Sequence, residues 1–180
     1  DYAYVADGWD GVRIISVANK AHPAEVGFYD PAPGSSIIAV RVVGDYAYAV
    51  TSMTKGLPVV DVADKAHPTE VGSWEALSLY SLETGGDFLF AGAGSYGLRI
   101  FSVADGVHPA AVGSYDTSGY PAGMDLAGDL LYVADRYADL LVHRALIDVV
   151  AEREQRPGRG AEGLAEGAEG GHRALGRSNA

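Results

Sequence analysis

Three stretches of this chain are nearly the same twelve residues: "SVANKAHPAEVG" at 16–27, "DVADKAHPTEVG" at 61–72 and "SVADGVHPAAVG" at 102–113. A second signature keeps step with them. "DYAYVADG" opens at Asp1, "DYAYAVTS" at Asp45, "DFLFAGAG" at Asp87 and "DLLYVADR" at Asp129, at offsets of 44, 42 and 42 residues. A fixed period constrains a chain more than any local motif does, because each copy must be a supersecondary unit that buries its apolar surface against the next. A period of about 40–45 residues made of short β-rich segments is that of four-stranded propeller blades.

The strands of one unit are legible in the second copy. "YAYAV" (46–50) comes first, then "GLPVVDV" from Gly56, then "TEVGSW" (69–74), and an apolar stretch such as "IIAVRVV" (37–43) supplies the remaining strand. Segments of five to seven residues between Gly, Asp and Pro turns suit an all-β chain. In "VRIISV", Val12 and Ile14 point to one face while Ile15 and Val17 point to the other, so both faces are apolar. A blade stacked between two neighbours requires that pattern; a sheet with one wet face does not. Pro23, Pro68 and Pro109 fix φ just before an outer strand, where a missing N–H does least harm. "ANKAHP" and its copies are therefore one tight turn per blade. His22, His67 and His108 radiate outward on successive blades and cannot converge on a metal ion.

"YVADGWDGVRIISVANKAHPAEVGFYD", with "GLPVVDVADKAHPTEVGSW" and "GLRIFSVADGVHPAAVGSYD", resembles the LVIVD-repeat β-propeller proteins over residues 1 to about 142. The resemblance implies a propeller fold and an extracellular or cell-surface setting; it implies little chemistry, since that family is largely without assigned activity. The pattern decays at its end. Asp139 stands where Gly11, Gly56 and Gly97 stand, and His143 takes an apolar core position.

All eleven Tyr, four Phe and two Trp lie before residue 138. A domain boundary is accordingly expected near 144. Residues 1–144 form the propeller part, with 18 acidic and 8 basic side chains, which account for most of the net charge of −11. Residues 145–180 read as a short helix over 146–154 followed by a low-complexity, disordered C-terminal tail, because a Gly, Ala, Glu and Arg mixture cannot offset its ordering entropy. The abrupt onset of that tail also permits a non-native end, such as a shifted reading frame or a chimeric terminus. Acidity argues against a nucleic-acid partner, which needs a basic stripe. No apolar run reaches the roughly 18 residues of a membrane span. Cysteine is absent, which removes disulfides and thiol chemistry. Asp1-Tyr2-Ala3-Tyr4 already reads as strand, so the lack of a basic-then-apolar leader carries little weight.

With "IIAVRVV" innermost and "EVGFY" outermost, residues 1–30 supply strands two to four of one blade. Residues 36–75 and 77–116 make two whole blades, and 121–144 give strands one to three of another. The expected fold is thus all-β, a partial propeller ring of three to four blades and fourteen strands. Ring closure normally joins complementary pieces of one blade, whereas here both ends supply the middle two strands. The expectation is a fragment of a larger ring, with open blade edges that leave it marginal or prone to self-association.

Alternating strands divide the loops between two rims. The "VGD", "GGD" and "AGD" turns and the His-Pro turns share one rim and barely vary. The other rim carries "DGWDG", "TSMTKG", "GAGSYG" and "DRYAD", together with the blade-to-blade loops "DPAPGSS", "EALSLY" and "DTSGYP". These differ freely, as the loops of a binding face do. That face presents Trp9, Tyr80, Tyr96, Tyr120 and Tyr137 among the carboxylates Asp7, Asp10, Asp30, Asp116, Asp135 and Asp139. The ligand-binding candidates are Asp7, Trp9, Asp10, Tyr96, Tyr120, Asp135 and Tyr137. Aromatics offer flat, low-entropy contact area, and carboxylates accept hydrogen bonds from hydroxyls. Set against this is the plain reading of ordinary loop residues, several of them packed at blade junctions.

"DGWDG" has two closely spaced carboxylates but lacks the third ligand and distal Glu of a helix-loop-helix calcium site, so no metal and no cofactor is expected. No nucleophile elbow, phosphate-cradling loop or zinc-protease helix is present, and the recurrent His lie on the rim opposite the variable loops. The expected function is a non-catalytic module that binds protein or glycan. The alternative is part of a propeller hydrolase or lyase whose active groups lie in further blades.

Overall fold

The computed structural model describes residues 1–52, 56–75, 79–117, 119–137 and 141–143. The helix expected over 146–154, the tail and Asp139 lie outside them. Fourteen strands form among the described residues: β1 (Tyr2–Ala6), β2 (Val12–Ser16), β3 (Ala24–Tyr29), β4 (Ile37–Val43), β5 (Tyr46–Thr51), β6 (Leu57–Asp61), β7 (Thr69–Trp74), β8 (Ser81–Gly85), β9 (Phe88–Gly92), β10 (Leu98–Ser102), β11 (Ala110–Tyr115), β12 (Pro121–Ala127), β13 (Leu130–Asp135) and β14 (Leu141–His143). They pair as four separate antiparallel meanders, in the orders β1-β2-β3, β4-β5-β6-β7, β8-β9-β10-β11 and β12-β13-β14. Between units, β1 lies against β4, β4 against β8 and β8 against β12. The first strand of each sheet therefore faces the first strand of the next, which is the radial arrangement of propeller blades. One isolated bridge, Gly8 with Ile37, ties the first sheet to the second.

Burial explains why both faces of the inner strands had to be apolar. The first sheet's Val12, Ile14 and Tyr29, with Tyr4 beside them, meet the second sheet's Ala47, Ala49, Val60 and Val62. The second sheet's other face, with Tyr48, Val50, Leu57 and Val59, meets Leu89, Ala91, Phe101 and Val103 of the third. Phe90, Leu98 and Ile100 of the third sheet then meet Leu131 and Val133 of the fourth. Alternation along each strand sends successive residues into different interfaces.

The repeated turn gains a chemical reason. Asn19, Asp64 and Asp105 stand at the same place in the three copies. Their side-chain oxygens accept the backbone N–H two residues on, from Ala21 at 3.1 Å, Ala66 at 3.0 Å and Val107 at 3.0 Å. These are Asx turns, which favour Asn and Asp. In the second and third copies the histidine ring closes the turn. His67 Nδ1 lies 3.0 Å from Asp64 Oδ2 and His108 Nδ1 lies 3.0 Å from Asp105 Oδ2. The His67 side chain, then the Ala66 amide, hold the Asp64 carboxyl below its ordinary value. At Asp105 the His108 amide leads, with the His108 ring next.

A second repeated feature leaves no mark in the alternation of apolar residues. In each of the first three sheets the outer strand slips by one residue, leaving Val26, Val71 and Val112 without a register partner. These β-bulges bend the strand outward. In the first two sheets the glycine that follows fits close against the next blade. A Cβ on Gly27 would collide with the Lys65 carbonyl, and one on Gly72 would lie 2.7 Å from the Val107 carbonyl. The "EVG" of the repeat thus records a blade-to-blade contact.

Candidate functional site

The innermost strands of three sheets end around one cleft of about 390 Å³, lined by Ile38, Tyr80, Tyr120, Pro121, Ala122, Arg136 and Tyr137. Ile38 belongs to β4, Tyr80 directly precedes β8, Tyr120 directly precedes β12, and Arg136 and Tyr137 follow β13. All of these segments lie at the rim of the variable loops. The aromatic rings are arranged as a chain of edge contacts. Tyr80 and Tyr120 have centroids 6.4 Å apart at 62°, and Tyr120 and Tyr137 are 5.4 Å apart at 84°. Such T-shaped contacts leave ring faces available to a guest.

Backbone hydrogen bonds fix these rings. The Tyr80 N–H donates to the Gly92 carbonyl at 2.8 Å, and the Arg136 N–H donates to the Tyr120 carbonyl at 3.0 Å. The Ser81 hydroxyl donates to the Pro121 carbonyl at 3.0 Å, which joins β8 to β12 beneath the cleft. Asp135 acts from below. Its Oδ1 accepts the Tyr120 N–H at 2.7 Å and the Tyr137 N–H at 3.1 Å. One buried carboxylate oxygen thereby holds both segments that carry tyrosines. Gly119 is required for this approach, since a Cβ there would collide with the Asp135 carboxylate.

The loop "GAGSYG" contributes indirectly. It forms a 3₁₀ turn over Gly94–Tyr96. Gly94 packs against the Tyr80 and Tyr120 rings, where an added Cβ would lie 2.9 Å and 3.2 Å from them. Tyr96 itself is exposed and does not line the cleft.

Of the sequence candidates, Tyr120 and Tyr137 therefore line the cleft, Asp135 positions them, and Tyr96 stands on the adjoining turn. Asp7, Trp9 and Asp10 are elsewhere, on the loop of the first sheet. Asp7 and Asp10 face Arg13 at 3.7 Å and 3.9 Å, and Arg13 also meets Glu25 at 3.6 Å and stacks 5.0 Å over the Phe28 ring. Their carboxylates are engaged in an ion-pair cluster, and Trp9 is 68% exposed beside it. Ile38, Tyr80, Pro121, Ala122 and Arg136 line the cleft outside that set of seven candidates. Of these only Tyr80, an aromatic of the variable rim, and Arg136, the one cation in "DRYAD", carry a signal in the sequence.

A second cleft, of about 320 Å³, opens on the uniform rim and includes Asp45, Asp61, Asp87 and Asp105. The Asp61 and Asp105 carboxylates are occupied in forming turns, with the Ala63 N–H at 2.8 Å from Asp61 and the Val107 N–H at 3.0 Å from Asp105. Among the described residues no group of three or more His, Cys, Asp and Glu side chains is placed to hold a metal ion. No helix among them is long and apolar enough to cross a membrane.

Comparison with known proteins agrees with this architecture. Residues 1–31 and 36–76 match the family model described as LVIVD repeat. Among solved structures the chain is similar to "Crystal structure of the computationally designed Ika4 protein". The identity is 10%, the TM-score 0.55, and the match covers 79% of this chain and 82% of that one. At that identity the likeness concerns the fold alone. No curated protein matches the chain significantly.

Proposed function

From a chain that carries LVIVD repeats over residues 1–31 and 36–76 and builds a partial β-propeller, we propose a non-catalytic binding module. Its ligand is a glycan, held in the tyrosine cleft, and its setting is a secreted or surface protein. The observation that carries the reading is the convergence of Tyr80, Tyr120, Tyr137 and Arg136 from two blades on one concave surface. Tyrosine faces take the apolar face of a sugar ring, while phenol and guanidinium groups bond its hydroxyl or carboxylate substituents. A cleft of about 390 Å³ suits one small guest better than a flat protein contact does. The lining side chains include no nucleophile paired with a base, which favours binding without turnover. The extracellular setting rests on the family resemblance.

The test is an array of neutral and acidic oligosaccharides, followed by calorimetry on the hits. Tyr137→Ala should weaken binding about tenfold, the worth of one aromatic contact. Arg136→Gln should weaken acidic glycans selectively. Capture of peptides with no glycan bound would replace the ligand class, and turnover of a small ester or sugar by the protein would overturn the non-catalytic reading.

A further inference from the structure

The innermost strands β4, β8 and β12 enter their sheets in one way. Ala39, Ser81 and Gly123 pair with Val50, Gly92 and Ala134 in turn. The residue just before each, Ile38, Tyr80 or Ala122, falls out of register. Ile38 and Ala122 stand at register shifts, and the Tyr80 N–H bonds to Gly92, which already pairs with Ser81. Two residues thus oppose one, as in a β-bulge, and a bulge re-aims a side chain. Ile37, Leu79 and Pro121, one position earlier, are buried, whereas Ile38 is 41% and Tyr80 49% exposed and Ala122 is exposed as well. Each sheet therefore turns one residue out of the blade packing, and all three line the cleft. They lie 42 residues apart, one position of the repeat written with three different side chains.

Their order polarises the cleft. Because β8 lies against both β4 and β12, the row runs from the aliphatic Ile38 through Tyr80 to the small Ala122. Arg136 and Tyr137 follow β13, the partner of β12, and so belong to the end away from Ile38. We infer that this bulge position determines the specificity of the cleft, and that Ile38 selects a sugar bearing a methyl group on an N-acetyl or 6-deoxy substituent. This narrows the glycan reading above, on which it rests. A sugar ring laid on the tyrosine faces with one polar edge toward Arg136 turns its opposite edge toward Ile38. A hydroxyl there loses water without gaining a partner, while a methyl group gains apolar contact. Ala122, the smallest of the three, leaves room that a larger side chain would fill.

The experiment is calorimetry on the full chain with sugars that differ in one substituent: N-acetylglucosamine against glucose, and L-fucose against L-galactose. The methyl-bearing member of one pair should bind at least about fourfold tighter, the worth of one buried methyl group. Which pair responds tells N-acetyl from 6-deoxy. Ile38→Ala should abolish the preference and leave the affinity for the methyl-free member unchanged, and Ala122→Leu should weaken every sugar that binds. Far-UV circular dichroism checks the fold, with Ile38→Thr, which keeps the β-branch, as the second variant should Ile38→Ala unfold. Equal affinity within both pairs, or a preference that survives in the Ile38 variants, would overturn the inference and leave the glycan reading standing. So would binding of other oligosaccharides but none of these four sugars. An array on which no glycan binds removes the glycan reading, and this inference with it.

Discussion

Tyr48 shows how one side chain can serve two sheets. It is wholly buried, and its hydroxyl donates to the Gly106 carbonyl at 2.7 Å, on the turn of the next blade. Burial, followed by the nearby Tyr46, Asp105 and Asp87, pushes its phenol from 10.0 up to about 12. The folded protein therefore keeps this proton where an unfolded chain releases it. Its contribution is complete below pH 10 and is lost as pH rises through about 12. Tyr29 acts in the same direction, through burial and its hydrogen bond to Glu70. Tyr48→Phe should lose about 1 kcal/mol at pH 7, the worth of one hydrogen bond. Above pH 10 its stability should fall less steeply than that of the wild type, as denaturant midpoints measured from pH 7 to 12 will show. Hydrogen-bond partners of this kind could not be read from the sequence. "DYAYAV" marks Tyr48 as a strand residue, but Gly106 lies 58 positions away on a different blade.

At the level of elements, the repeat carries more information than strand periodicity alone. The strands of the second, third and fourth sheets, Ile37–Trp74, Ser81–Tyr115 and Pro121–His143, fall within the expected blades 36–75, 77–116 and 121–144, because the spacing of Asp-aromatic and His-Pro signals leaves little room for another register. The bulges at Val26, Val71 and Val112 were hidden, since alternation of apolar residues does not reveal an unpaired position. "EVG" was visible as a string, yet its meaning depends on the turn of the following blade. Gly72→Ala tests that contact. Its Cβ would lie 2.7 Å from a backbone carbonyl, so the second and third sheets must separate slightly. A loss of about 1–3 kcal/mol is expected, typical of overpacking. The neighbouring Ser73→Ala should change stability by less than about 0.5 kcal/mol. Urea titrations of the pair separate steric cost from loss of strand propensity.

For the molecule as a whole, stability should be graded rather than uniform. The second and third sheets have four strands and a neighbour on each face, while the first and fourth have three strands each among the described residues. Amide exchange should therefore be slowest in β5, β6, β9 and β10 and fastest in β1 and β14. Equal protection across all four sheets would mean that the blades open only together. The cleft belongs to this scale too, which is why it was only partly legible. Tyr120 and Tyr137 stand out as aromatics in variable loops, but Ile38 sits in a strand about eighty residues upstream and enters the cleft only because β4, β8 and β12 gather side by side. Asp7 and Asp10 looked like ligands for the same reason as Asp135, and only spatial neighbours distinguish them: Arg13 in one case, two backbone amides in the other.

The variable loops leave and rejoin their sheets through a common clasp. The Asp7 N–H meets the Gly11 carbonyl at 2.8 Å, the Thr51 N–H meets the Gly56 carbonyl at 3.4 Å, and the Ala93 N–H meets the Gly97 carbonyl at 2.8 Å. Each of these glycines has positive φ, between 69° and 80°. What lies inside the clasp differs in length and composition from copy to copy, while the strands on either side keep step. Such an anchor point insulates the scaffold from its own ornament: a foreign segment grafted between these anchors would change what the rim displays without re-registering a single strand.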